Sequence, residues 1–169
     1  MSKTFDDLFF YFLTNSEVLQ EDLRQLKERK IRIRWVADYC KAFTPIFDDD
    51  IYISLSCGTS YKLCALAHEA AHKLIMPLPK RIPPGCSKEE FVAICLKCEA
   101  HAFAHEAEAM DELITLGVAF NDYSLLFTYH YGGVEALEQA VGDFVTSTTG
   151  QKYREYYEGY YNWLSVQKA

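Results

Sequence analysis

The chain has 169 residues, half of them hydrophobic and 15% aromatic, with 24 acidic and 17 basic side chains and a formal net charge of −7. This composition suits one domain with a buried core and excludes a disordered chain. The acidic balance argues against a protein that binds nucleic acid through bulk positive charge. No apolar run is long enough for a membrane span, and no secretory signal is visible, so we expect a cytoplasmic protein.

The six cysteines have two possible explanations. An even number could form three disulfides in a secreted protein. Several of them lie in apolar, helical-looking sequence, where a free cysteine behaves as a small hydrophobic side chain. Without a signal peptide we favour free thiols, at positions 40, 57, 64, 86, 95 and 98.

Periodicity in the first third of the chain predicts two helices followed by two strands. Leucines recur at helical spacing after a break at Asn15-Ser16. Alternation of apolar and polar residues is typical of strands with one buried face. The expected elements are a helix capped by Thr4, a helix carrying Leu19, Leu23 and Leu26, and strands over residues 31–36 and 51–56.

The remainder of the chain predicts helices only. A breaker-free stretch over residues 61–76 is followed by a proline-rich loop. Ser87 and Glu90 form a capping-box pattern that opens a long helix, which we expect to stop near Gly117. Two further helices are expected, over residues 134–145 after Gly132-Gly133 and over the tyrosine-rich tail. The predicted fold class is mostly helical α+β, as a single domain with its core at 31–115 and a helical extension at 120–169.

The helix over residues 61–76 carries the sequence His68-Glu69-Ala70-Ala71-His72, an H-E-x-x-H motif. Residues four apart lie on one helix face, so both imidazoles can reach one metal ion. Neutral imidazole suits Zn²⁺, and catalytic zinc lowers the pKa of its water to about 7. Glu69 is turned by about 100° from His68, so it can stand beside the metal as a general base rather than as a ligand.

A catalytic zinc usually has three protein ligands and one open position. The helix after the proline loop offers Glu99, 27 residues beyond His72. A loop between two packed helices can bring this carboxylate beside the two histidines. Glu99 is therefore the candidate third ligand.

These motifs together resemble the ImmA/IrrE family of zinc metallopeptidases. The resemblance rests on the strand at residues 51–54, the A-H-E-x-x-H sequence at 67–72 and the Glu-Ala-x-x-Phe-Ala sequence at 99–104, and it covers roughly residues 31–112. It implies a zincin-like domain of the gluzincin type, with a small β-sheet before the active-site helix. It also implies His68, His72 and Glu99 as zinc ligands and Glu69 as the catalytic base.

The resemblance further implies a zinc endopeptidase that cleaves a specific intracellular protein, typically a transcriptional repressor. Two alternatives stay open. One is a zincin-like binding module that keeps its metal for structure and holds a partner through its aromatic C-terminal helix, although a structural zinc needs no general base and usually has four protein ligands. The other is a small toxin or effector protease. We expect no direct contact with nucleic acid or membrane, and the sequence does not define an oligomeric state.

Several other side chains have both a chemical and a structural explanation. Glu106 lies seven residues after Glu99, on the same helix face, and could hydrogen-bond a histidine ligand or form an ordinary salt bridge. His101 and His105 form a second pair at helical spacing, but they face away from Glu99, so we expect them to be solvated or to face a partner. Cys95 and Cys98 lack the second pair that a zinc ribbon needs.

The remaining candidates concern substrate and partner binding. An oxyanion-stabilising donor could lie among Tyr129, His130 and Tyr131. The strand at residues 51–55 could be an edge strand that pairs with substrate, or it could be fully paired within its own sheet. A basic stretch is expected to be solvated or to dock an acidic partner; it comprises Arg24, Lys27, Arg29, Lys30, Arg32 and Arg34. The aromatic face of the tail is expected to pack on the domain or form an interface; it comprises Tyr153, Tyr156, Tyr157, Tyr160, Tyr161 and Leu164.

Overall fold

A computed structural model describes residues 5–37, 42–43, 48–146 and 149–167, and its architecture is mostly helical with one small sheet. This confirms the predicted α+β class. In chain order the elements are α1 (Phe5–Asn15), α2 (Glu17–Glu28), β1 (Ile33–Val36), β2 (Ala42–Phe43), β3 (Ile51–Ser54), α3 (Thr59–Leu74), α4 (Lys88–Thr115), α5 (Ser124–Ala140), a 3₁₀ turn (Val141–Asp143) and α6 (Tyr153–Gln167).

The sheet has the strand order β1-β3-β2, so β3 lies in the middle. It pairs in parallel with β1, with Ile51 opposite Ile33, and antiparallel with β2, with Tyr52 opposite Phe43. The alternation predicted for this strand places Ile51 and Ile53 fully inside. The possibility that residues 51–55 form an edge strand for substrate is therefore wrong, because both sides of β3 are paired.

Local sequence signals mark the start of α2 and both ends of α4. Ser87 and Glu90 form the predicted capping box at the start of α4, with each side chain bonded to the other's backbone N–H. Gly117 follows the end of α4 with a φ of +95°, a conformation that glycine adopts without strain. Ser16 caps α2 and also bonds Glu112 at 2.6 Å, which ties the N-terminal helices to α4. The cap predicted at Thr4 lies outside the described residues.

Helix α5 differs from the sequence-based expectation. It begins at Ser124, ten residues before the predicted start, and the Gly132-Gly133 pair lies inside it instead of preceding it. Gly133 has φ +62° and ψ −155°, so the helix kinks there. A diglycine can end a helix or bend one, and the sequence pattern does not distinguish the two.

Helix α4 runs between two hydrophobic clusters. The first joins α1, α2, the sheet, α3 and the C-terminal part of α4; it includes Leu19, Ile53, Leu66 and Leu113. The second joins the N-terminal part of α4 to α5 and α6; it includes Phe91, Leu137, Tyr157 and Leu164. The aromatic face of the tail thus packs on α4, as the first of its two explanations expected. None of the described helices combines the length and apolar character that a membrane crossing needs.

Candidate metal centre

The H-E-x-x-H motif lies in the buried middle of α3. His68, Glu69 and His72 have exposed fractions of 8%, 8% and 5%. The alanines at positions 70 and 71 are also buried, and their small side chains let α4 and α2 pack closely against α3. The sequence therefore places two imidazoles and a carboxylate inside the helical layer rather than on its surface.

Helix α4 brings Glu99 to the two histidines, as predicted. One carboxylate oxygen, Oε2, lies 3.2 Å from Nε2 of His68, and the other, Oε1, lies 3.4 Å from Nε2 of His72. The Glu99 side chain is only 3% exposed. Within the described part of the chain these three residues form a buried group that could hold a metal ion.

The spacing of the three residues fits a small tetrahedral cation. Zinc–nitrogen and zinc–oxygen bonds of about 2.1 Å at tetrahedral angles would place neighbouring ligand atoms about 3.4 Å apart. Nε2 of His68 lies 3.2 Å from one Glu99 oxygen and Nε2 of His72 lies 3.4 Å from the other, both close to this value. One ligand atom from each of the three residues lies within 4.8 Å of the others. Two imidazoles and one carboxylate also leave a tetrahedral ion with one open position.

Glu106 takes the role that one of its two explanations assigned to it. Its Oε2 lies 3.0 Å from Nδ1 of His68, and its side chain is 18% exposed. A carboxylate on Nδ1 favours the tautomer that leaves Nε2 free to bind a metal. By contrast, Nδ1 of His72 is buried and has no hydrogen-bond partner among the described residues.

The charges around the site favour a cation. Glu69, Glu99 and Glu106 supply three carboxylates, and no lysine or arginine in the described ranges forms an ion pair with any of them. Burial raises the cost of ionising Glu99, but His72 and His68 outweigh burial and hold its pKa well below the usual range. Burial likewise opposes a charged His68, yet Glu106 and Glu99 outweigh it and raise the pKa of His68. A metal ion would take the place of that proton.

Tyr157 is a further residue of this site, and it was not among the site residues predicted from the sequence. Its phenol, on α6, donates a hydrogen bond to Oε1 of Glu99, and the residue is 1% exposed. Burial, then the Glu99 charge, raises the pKa of Tyr157 well above the usual range, so the phenol keeps its proton and acts as a donor. The helical spacing of the tail tyrosines predicted a packed face but gave no sign of which hydroxyl meets a carboxylate.

Aromatic rings enclose the site between α4 and α6. Phe103 contacts the His68 ring edge-on, at 4.5 Å between ring centroids, and also contacts Tyr153 at 5.8 Å. Tyr153 stacks on Tyr157 at 6.3 Å. These contacts limit the rotation of the His68 ring and surround the proposed ligands with apolar material.

Glu69 lies next to His68 in α3, and its carboxylate forms no hydrogen bond with the proposed ligands. No side chain in the described segments hydrogen-bonds its carboxylate. Burial, followed by the charges of Glu99 and Glu69, raises the pKa of Tyr153 and of Tyr156. Glu69 therefore acts electrostatically on the same α6 side chains as Glu99.

The three oxyanion candidates on α5 are not brought to this site. The hydroxyl of Tyr129 donates to Glu108 at 2.9 Å, and His130 pairs with Asp111. Tyr131 is 89% exposed. These contacts lie two or more turns along α4 from Glu99.

His105 differs from its expected setting. Its side chain is 14% exposed and bonds the buried carboxylate of Asp22 on α2 at 2.9 Å. The expectation of a solvated or partner-facing side chain is therefore wrong for His105, although it does face away from Glu99 as predicted. His101 is partly buried and takes no part in the centre.

The described cysteines are free thiols, and three arginines of the basic stretch form ion pairs within the chain. Cys95 and Cys98 are buried free thiols, and burial raises the pKa of Cys98 to about 11. The other described cysteines, at 57, 64 and 86, are free as well, and Cys40 lies outside the described residues. In the basic stretch, Arg24 pairs with Glu21 and Glu28, while Arg32 and Arg34 pair with Asp50.

Comparisons with known proteins add no information about this site. No protein-family model matches the chain, and neither the curated proteins nor the solved structures give a match.

Proposed function

We propose that the chain is a zinc-dependent peptidase in which His68, His72 and Glu99 bind the metal and Glu69 is the general base. The observation that carries this proposal is the convergence of the three ligand atoms from α3 and α4, with Glu69 one residue from the first ligand. Two imidazole nitrogens and one carboxylate are a donor set typical of catalytic zinc. Calcium and magnesium prefer oxygen ligands throughout.

The residues of the chain divide the work of peptide hydrolysis between them. Bound zinc would supply a Lewis acid that polarises the scissile carbonyl and acidifies water. Glu69 takes the proton of the attacking water on its carboxylate and passes it to the departing amine. The carboxylate is suited to this because no side chain in the described ranges occupies its oxygens with a hydrogen bond. Glu106 meanwhile holds His68 in the tautomer that presents Nε2.

The substrate class in this proposal comes from the resemblance to the ImmA/IrrE family. It is a specific intracellular protein, for which a transcriptional repressor is the leading candidate, and the expected setting is the cytoplasm. A toxin or effector protease would use the same four residues. A binding module would keep the three ligands and have no need of Glu69.

The contrast between wild type and Glu69→Gln tests this function. Both zinc-loaded proteins are incubated with a lysate of the source cells, and new peptide N-termini are labelled and identified by mass spectrometry. We expect wild type to generate a small set of new termini that a chelator abolishes. Glu69→Gln should retain zinc and lose about 100- to 10,000-fold of the cleavage rate, because it keeps the shape of the site but removes the base.

A matched control is Glu108→Gln, the same change on an exposed carboxylate of α4 that contacts Tyr129 instead of the metal centre. It should cleave like wild type. If Glu69→Gln produces the same termini as wild type, or if wild type produces none, the peptidase proposal fails. In that case the binding module becomes the better hypothesis.

A further inference from the structure

The C-terminal helix reaches into the metal centre through one side chain. Tyr157 lies 58 residues after Glu99, and its phenol donates to Oε1 of that carboxylate. Tyr157 is 1% exposed and Glu99 is 3% exposed, so the hydrogen bond is made away from solvent. Water has little access to replace this donor if it is removed.

The hydrogen bond falls on a carboxylate whose two oxygens face different histidines. Oε2 lies 3.2 Å from Nε2 of His68, and Oε1, the oxygen that accepts from Tyr157, lies 3.4 Å from Nε2 of His72. A carboxylate without such a donor can rotate about its terminal bond. With one oxygen fixed by the phenol, the plane of the Glu99 carboxylate is set relative to both imidazoles.

Packing on α6 sets the position of the phenol itself. Tyr153 stacks on the Tyr157 ring, and Tyr156 meets it edge-on at 5.1 Å between ring centroids. One turn further along, Tyr160 donates to the carbonyl of Pro79 at 3.1 Å and anchors the helix to the proline loop. The donor is thus held in place by the fold before any ligand binds, which is the arrangement that strengthens a metal site.

We propose that Tyr157 is a positioning residue that orients Glu99 for metal binding, so that α6 is a structural part of the metal centre. This inference rests on the proposed role of Glu99 as a ligand. It goes beyond the three-ligand motif, since a donor on another helix governs how well the third ligand binds. Hydrogen-bonded partners of metal ligands commonly change metal affinity by about 10- to 100-fold.

The test compares Tyr157→Phe with Tyr160→Phe in the 169-residue chain. Both changes remove one hydroxyl from a buried tyrosine of α6, but the Tyr160 hydroxyl donates to the Pro79 carbonyl and not to Glu99. Zinc affinity is measured by competition with a fluorescent chelator. We expect Tyr157→Phe to bind Zn²⁺ about 10- to 100-fold more weakly than wild type, and Tyr160→Phe to bind it as wild type does.

Two further measurements separate positioning from a general loss of stability. The visible absorption spectrum of the Co²⁺-substituted protein reports ligand geometry, and it should change in Tyr157→Phe but not in Tyr160→Phe. The midpoint of thermal unfolding is also measured for each variant with and without zinc, so that each variant is compared with its own metal-free form. The zinc-induced rise in this midpoint should be smaller in Tyr157→Phe alone, even if both variants are less stable than wild type.

The outcomes distinguish this inference from the proposed function. Unchanged zinc affinity and an unchanged cobalt spectrum in Tyr157→Phe would overturn the inference and leave the peptidase proposal standing. Equal weakening in both variants would also overturn it. Weaker zinc binding in Tyr157→Phe but not in Tyr160→Phe would support the inference. If the wild type then cleaved nothing, the peptidase proposal would fail while the inference stood. A wild type that binds no metal would end both.

Discussion

Nδ1 of His68 lies 3.0 Å from Oε2 of Glu106, and the same imidazole presents Nε2 to Glu99 at 3.2 Å. One histidine ring therefore joins two carboxylates of α4 that are seven residues apart. The carboxylate on Nδ1 selects the tautomer of His68 and fixes the direction of its ring. Metal binding by this histidine should depend on a residue that does not itself touch the metal.

Glu106→Ala should weaken zinc binding by about 10- to 100-fold, because the His68 ring loses the partner that orients it. Chelator competition measures the effect. Glu108→Ala removes the same charge from the same helix. The Glu108 side chain contacts His105 and Tyr129 and not His68, so this variant should bind zinc like wild type. Equal affinities in the two variants would show that the Glu106 contact does not influence the metal.

Glu99→Ala tests the ligand set directly. We expect about one zinc per chain in wild type purified without chelators, since three ligands give stable retention. The variant should lose most of its zinc, because two imidazoles alone remain. Elemental analysis of both proteins gives the answer, with His101→Ala as a control two residues along α4. Zinc retention that is indifferent to Glu99 would contradict the three-ligand site.

The parts of the site that depend on local periodicity could be predicted from the sequence. His68 and His72 are four residues apart on one helix, and Glu99 and Glu106 are seven apart on another, so helix geometry alone puts each pair on one face. The capping box of Ser87 and Glu90 likewise fixed the start of α4. The expectation that α3 and α4 pack against each other followed from the proline-rich loop that connects them.

The parts that depend on non-local packing could not be predicted. Tyr157 meets Glu99 only because α6 folds back along α4, and any of six residues on its aromatic face could have pointed at the site. The central position of β3 depends on β2, a strand of two residues that leaves no periodic signal. His105 looked like a surface histidine because Asp22, its partner, is 83 residues away.

The pair formed by Asp22 and His105 should make stability depend on pH. Burial raises the pKa of Asp22. Burial opposes a charged His105, but Asp22 outweighs it and raises the pKa of His105. In both cases the folded chain binds more protons than the unfolded chain, so stability falls as pH rises. The His105 contribution is complete below its unfolded pKa of about 6.5 and is lost as pH rises through its folded pKa.

Asp22→Asn should therefore cost about 1–2 kcal/mol of unfolding free energy at pH 6, and less at pH 8.5. Urea unfolding of the metal-free proteins measures the difference in unfolding free energy between variant and wild type. The titration of His68 contributes equally to both proteins and cancels in this difference. Asp111→Asn is the control, because it breaks a histidine pair whose side chains are 52% and 44% exposed and should change little. A cost for Asp22→Asn that is the same at both pH values would contradict the assignment.

Gly133 and Gly159 should respond to alanine with opposite signs. Gly133 holds φ +62° and ψ −155° at the kink of α5, a conformation that is almost exclusive to glycine, and an added Cβ would lie 3.3 Å from a Glu135 oxygen. Gly133→Ala should lower the unfolding free energy by about 1–3 kcal/mol. Gly159 lies inside α6 with nothing within 4 Å of an added Cβ, so Gly159→Ala should raise it by about 0.5–1 kcal/mol. Urea unfolding midpoints measure both effects. A Gly133→Ala midpoint that does not fall would show that the kink does not depend on glycine, and a Gly159→Ala midpoint that falls would contradict the open space at that position.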